Sequence, residues 1–258
     1  SDGGFGYTDY FHVPLVFYPG IERALFLALG GGTGPKAYLK YYPKVQVDVA
    51  EIDPQVEKVA RQYFALPEDP RLAIHIDDGR VFLQRAKETY GAIIVDAYAS
   101  GARGAYLPYH LATREFFQLV RKCLVDGGLV VYNAIGRQDG MNHDVISGLL
   151  ATLRESFEAV YVFEETTSIN TVFVAVKLEK SLAPDAARAS WPDGPFMAHP
   201  VTADALLRMT QTRAQADAPH LARWAKKFGM FAPAQYGAST AQVLTDNRAP
   251  VDISGRRR

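Results

Sequence analysis

Acids close successive apolar runs in this chain: Glu51 after Val45–Ala50, Asp78 just past Leu72–Ile76 and Asp96 after Ala92–Val95. A further run, Ala24–Leu29, ends instead in Gly30-Gly31-Gly32-Thr33-Gly34. Ligands of open α/β sheets bind beyond the carboxyl ends of the strands, so all of these ends would share one rim. Glycines let ligand atoms approach the backbone, and a helix starting at Gly34 presents unpaired N–H groups. Glu51 lies about 20 residues past the glycines, the spacing at which a carboxylate takes both ribose hydroxyls. Asp78 suits an adenine amino group. Asp96 would face the reacting end of a bound nucleoside, where it can accept a proton from an attacking amine or hold that amine by a charge-assisted bond. Each acid alone reads better as a solvated strand end or a helix cap; their succession at the ends of successive strands argues for a site.

The elements that must position these residues alternate regularly. After the glycine turn the pattern gives helix 34–42, strand 45–52, helix 54–64, strand 72–76, helix 79–87, strand 92–95, helix 112–124 and strand 129–133. Such βαβ alternation implies a parallel sheet. A helix over 142–156 and strands 159–164 and 171–176, joined by a Ser/Asn-bearing turn, suggest a closing antiparallel pair. The fold class expected is therefore α/β, a class I methyltransferase-like (Rossmann-type) seven-stranded sheet over residues 24–178. Residues 1–23 form an aromatic segment, Tyr7 to His12 included, that either packs on the sheet or lends polar tips to the site. Residues 179–258 read as a proline-marked linker and a small helical extension, with helices at 203–215 and 220–228.

Composition bounds the function. A chain of 258 residues with 48% hydrophobic content can bury a large core. Lys+Arg 28 against Asp+Glu 28 leaves no net charge, so nothing global argues for nucleic acid or an anionic membrane. The one cysteine, Cys123, excludes an internal disulfide and a cysteine-rich metal site, and no metal is expected. No apolar run approaches the roughly 18 residues of a membrane span, and no signal peptide is visible, so a cytoplasmic protein is the default expectation. A start at Ser1 rather than Met leaves room for a trimmed piece of something longer.

Gly30-Gly31-Gly32-Thr33-Gly34, Ala50-Glu51-Ile52-Asp53-Pro54, Asp78-Gly79-Arg80 and Ile93-Ile94-Val95-Asp96, in this order and spacing, resemble the spermidine/spermine synthases, the polyamine aminopropyltransferases. The likeness covers about residues 7 to 177. The blocks His110–Phe117 and Leu244–Val251 look closer to the bacterial spermidine-synthase-like branch, some of whose members are fused to membrane segments. The resemblance implies that a polyamine nitrogen attacks the propyl carbon of decarboxylated S-adenosylmethionine and methylthioadenosine leaves. Gly30 to Gly34, Glu51, Ile52, Asp78, Gly79, Asp96 and Ala97 would hold this co-substrate. Asp96 would be the base, and Tyr7 would take the place of the catalytic tyrosine, although its spacing to Pro14-Leu15 is one residue short. Tyr98, His12 and Tyr109 would face the small-molecule amine. A homodimer would follow from the resemblance, and an N-terminal β-domain that the family carries ahead of the Tyr7 region is expected to be missing from this stretch or lost, so the family's oligomer contacts do not carry over.

Two departures stand out. Where the well-known enzymes carry Asp for the cofactor's free amine this chain has Thr33, and where they carry a second acid for the polyamine it has Ala99. A Thr at the turn with Lys36 one helical turn on suits an anion better than an ammonium, unless Lys36 is an ordinary exposed lysine. Intact S-adenosylmethionine is therefore the alternative co-substrate, giving methyl or other alkyl transfer. A nucleoside-binding homologue without turnover is the reading from another class. A dinucleotide oxidoreductase comes last, because Ala37 and Pro35 stand where its glycine pattern needs glycine.

Overall fold

A computed structural model describes residues 6–101, 104–137, 142–165, 168–178, 203–228 and 242–247. Its centre is a seven-stranded sheet in the order β3-β2-β1-β4-β7-β9-β8. The strands are β1 (Arg23–Leu27), β2 (Gln46–Glu51), β3 (Leu72–Ile76), β4 (Tyr90–Val95), β7 (Leu124–Ile135), β8 (Ala159–Glu164) and β9 (Asn170–Val176). β3, β2, β1, β4 and β7 run parallel, whereas β9 is antiparallel to β7 and β8. The expected class and closing pair are thus present. β7 is the longest strand and starts five residues before the expected one, directly at the end of α5 (Arg114–Cys123). The segment between Asp96 and α5 contains a ribbon, β5 (Ala99–Gly101) with β6 (Gly104–Tyr106).

Strand alternation divides the core between the two faces. Ala24 and Phe26 point into one cluster and Leu25 and Leu27 into the other. The first face is covered by a 3-10 turn at Gly6–His12, α1 (Val13–Phe17), α2 (Thr33–Tyr41), and α7 (Ala203–Ala216) with the 3-10 turn Pro219–Trp224 and α8 (Ala225–Phe228). The second face takes α4 (Gly79–Arg85), α5 and α6 (His143–Ser156); α3 (Pro54–Tyr63) follows β2. Cys123 is buried there, as expected for a small core residue, and its thiol meets the Leu83 carbonyl. The expected linker lies outside the described residues. No helix among the described residues is long and apolar enough to cross a membrane.

The glycine turn is shaped by sterics. Gly32 has φ 71°, a left-handed conformation that begins α2 and that side chains disfavour. Gly34 is needed for space instead, since a Cβ there would lie 2.4 Å from Cε1 of buried Phe26. Gly34→Ala is expected to lower stability by about 1–3 kcal/mol through overpacking, read as a lower midpoint in urea unfolding at unchanged slope.

Candidate active site

Register brings the strand ends level. Leu27 pairs with both Ala50 and Val95, and Glu51 with Ile76. The chain leaves β1 toward β3 on one side and returns to β4 on the other, so a crevice opens beyond β1 and β4. The glycine turn and Asp96 flank it.

Asp96 is held from two sides. Val95 lies opposite Tyr132, so the next residues, Asp96 and Asn133, are neighbours, and Asn133 Nδ2 donates to Asp96 Oδ1 at 2.7 Å. The Asn133 amide is itself fixed by Asn170 Nδ2, which donates to its Oδ1 at 2.9 Å, and Ser168 donates to Asn170 Oδ1 at 2.7 Å. On the other side the Tyr7 hydroxyl donates to Asp96 Oδ2 at 3.3 Å. Burial pushes the Asp96 carboxyl up to about 6, against the opposing pull of the Asn133 and Tyr7 bonds. Tyr7 is pushed up as well, by burial and by the Asp96 charge, so it remains a neutral phenol that donates and orients. The Asp96 carboxyl can therefore exchange a proton near neutral pH.

Glu51 is buried at the end of β2 and its carboxylate bridges two backbone segments. Leu29 N–H donates to Oε2 at 2.8 Å and Asp53 N–H to Oε1 at 3.0 Å. Ala28, at φ 80°, supplies the left-handed kink that precedes Leu29. Such a conformation is uncommon for a non-glycine residue, and here it sits at the rim of the site. Each Glu51 oxygen retains a lone pair, enough to accept from a pair of adjacent hydroxyls. Ile52, the next residue, is 69% exposed at the same rim.

Asp78 caps α4: Oδ1 accepts from Arg80 N at 2.9 Å and Val81 N at 3.0 Å, and His110 Nε2 lies 3.0 Å from Oδ2. Burial pushes this carboxyl up, but the bonds from Val81, His110 and Arg80 outweigh it and hold it below the usual range. The cap reading is therefore correct for Asp78, and His110 is its partner. Arg80 pairs with Asp246 at 2.5 Å, which also accepts from Thr113 at 2.7 Å, so the segment 242–247 is tied beside the same rim.

The remaining candidates divide. Ala97 and Tyr98 follow Asp96, and the Tyr98 hydroxyl donates to the Asn133 carbonyl at 3.0 Å. Tyr109 is 53% exposed on the short turn that carries His110. His12 is buried, with its ring stacked on Trp224 at 4.1 Å and Nδ1 2.6 Å from the Tyr42 hydroxyl, and it borders the cavity beside Thr33 and Gly34. A seven-residue aromatic-rich turn buries one side, so Tyr7 reaches the site while Tyr10, Phe11 and His12 pack. Lys36 donates to the Phe64 carbonyl at 2.6 Å, which anchors its ammonium to the end of α3. Thr33 and Gly34 border a cavity of about 270 Å³ whose walls also carry Asp9, His12, Lys36, Lys40 and Arg223.

Sequence reasoning missed Asn133, Asn170 and Ser168. Asn133 was open to the same strand-end logic as Asp96, being the first polar residue of the apolar run Leu129–Tyr132.

Residues 5–180 match the model of the spermine/spermidine synthase domain. The chain belongs to the spermine/spermidine synthase family. It is 35% identical over 153 residues to a polyamine aminopropyltransferase of Vibrio vulnificus, covering 58% of this chain and 48% of that one. It is 33% identical over 175 residues to putrescine N-methyltransferase 2 of Nicotiana attenuata, covering 65% and 45%. The chain thus spans about half the length of these relatives. The structure of a probable spermidine synthase from Corynebacterium glutamicum superposes with a TM-score of 0.64 at 21% identity, over 96% of this chain and 82% of that chain. The family domain ends before α7 and α8, which lie beyond its matched residues.

Proposed function

We propose that this chain is a spermidine-synthase-like aminopropyltransferase that uses decarboxylated S-adenosylmethionine and releases methylthioadenosine. The observation that carries the reading is the buried Asp96, lifted to about 6 and oriented by Tyr7 and Asn133. The residues fit an adenosyl donor: nothing lies within 4 Å of a Cβ built on Gly30, and Glu51 presents acceptors at the neighbouring strand end. When bound, this co-substrate supplies a carbon already activated by its sulfonium. Glu51 holds the ribose, and the Asp78–His110 pair borders the base.

Asp96 takes the proton that the amine must lose before its lone pair can attack. Raising the carboxyl from 3.8 to about 6 narrows its gap to an alkylammonium by about 3 kcal/mol. Tyr7 fixes which oxygen faces the amine, so positioning supplies most of the remaining acceleration. The acceptor is a small amine, in a cytoplasmic setting, and no metal takes part.

One observation favours a second reading. Lys40 and Arg223 border the cavity next to Thr33, opposite a single acid among the described residues, Asp9, a setting suited to the carboxylate of intact S-adenosylmethionine and so to methyl or other alkyl transfer. Calorimetric titration with the two donors and methylthioadenosine separates them. Aminopropyl transfer expects tighter binding of the decarboxylated donor; tighter binding of the intact one favours the alternative and loses that preference in Lys40→Met.

A further inference from the structure

Lys227, in α8 and outside the family domain, reaches the segment that carries Tyr7. Its ammonium donates to the Gly6 carbonyl and to Asp9 Oδ2 at 2.9 Å, forms an ion pair with Glu165 Oε2 at 2.6 Å, and lies 4.8 Å from the Tyr10 ring centroid. Glu165 is 1% exposed, an environment that tolerates a carboxylate only when it is paired. Gly6 is the residue before Tyr7, and a Cβ on it would come within 2.9 Å of the Glu165 carboxylate. The backbone ahead of Tyr7 is therefore pressed against this ion cluster.

The cluster joins the other support of Asp96. Glu165 N–H donates to the Asn170 carbonyl at 2.9 Å, and the Asn170 side chain fixes Asn133, which fixes Asp96. Asp96, Asn133, Asn170, Glu165, Lys227, Gly6 and Tyr7 thus form a closed circuit, of which Lys227 is the member supplied by the C-terminal extension.

We infer that Lys227 is a positioning residue that holds the Tyr7 hydroxyl against Asp96, so that the C-terminal extension completes the active site. The inference rests on the assignment of Asp96 as the base, but its decisive readout needs no turnover. Without Lys227, Asp9 and Glu165 repel each other across the vacated place, the Gly6–Tyr7 backbone is released, and Asp96 loses a hydrogen bond to its charged form.

The test is the titration of Asp96 followed by carboxyl ¹³C NMR in the full chain, in wild type, Tyr7→Phe, Lys227→Met and the double variant. Loss of the Tyr7 bond is expected to raise the Asp96 pKa by about half a unit to one unit in each single variant. The double variant is expected to show no further rise, and methylthioadenosine affinity to stay within about twofold because Lys227 touches none of the nucleoside residues. Gly6→Ala, which leaves Lys227 in place and displaces Glu165, is expected to act in the same direction and stands in should Lys227→Met not fold. An Asp96 titration unchanged in folded Lys227→Met but raised in Tyr7→Phe overturns the inference. Turnover assays on the wild type address the aminopropyl reading separately.

Discussion

Asp96→Asn is expected to cut turnover by roughly 10²–10⁴-fold, the contribution of a positioned general base, while methylthioadenosine binding changes little. The same substitution is expected to make the protein more stable at neutral pH. Burial raises the Asp96 carboxyl from 3.8 to about 6, so the folded state binds its proton more tightly than the unfolded chain does. Stability from this group is fully present below the unfolded value and is lost as pH rises through about 6. An Asn in that place has no charge to desolvate, keeps an acceptor for Asn133 Nδ2, and can donate to the Tyr7 oxygen. The gain over wild type is expected to be about 1–3 kcal/mol above pH 6 and to vanish below about pH 4, as measured by urea unfolding across pH. Turnover in wild type should rise with pH through the same window, because the working form is the carboxylate. An Asp96→Asn variant with normal turnover contradicts the base assignment.

Glu51→Gln should weaken methylthioadenosine by about 100-fold or more, since hydrogen bonds from hydroxyls to a charged acceptor contribute about 1.5–3 kcal/mol each. The change also disturbs the turn. One carboxylate oxygen becomes an amide that cannot accept from Leu29 N–H or Asp53 N–H, and those bonds hold the glycine turn to β2. Calorimetry on the folded variant gives the loss directly. An unchanged affinity would mean that Glu51 is only a brace between backbone segments.

The parts of this site set by local pattern were legible in the sequence. Glycine turns, apolar runs and acids at strand ends announce themselves by spacing, and parallel pairing aligns Leu27, Ala50 and Val95 without further information. What could not be read were contacts between elements distant in the chain. Nothing local tells that Asn170 buttresses Asn133, that Lys36 is tied to Phe64, or that His12 stacks on Trp224 across 212 residues. The place of His12 was not legible for the same reason: Tyr10, Phe11 and His12 are buried in succession on the turn, and His12 also borders the cavity beside Thr33 and Gly34. Asp78 shows the converse: its local reading as a helix cap holds, and only the fold adds His110.

The most direct measurement is mass spectrometry of the amine products formed with decarboxylated S-adenosylmethionine and a panel of small amines. Aminopropyl transfer requires an amine that gains one aminopropyl group with one methylthioadenosine released per product, in wild type and not in Asp96→Asn. Methylated amine formed from intact S-adenosylmethionine, or nucleoside binding with no amine-dependent release across the panel, contradicts it.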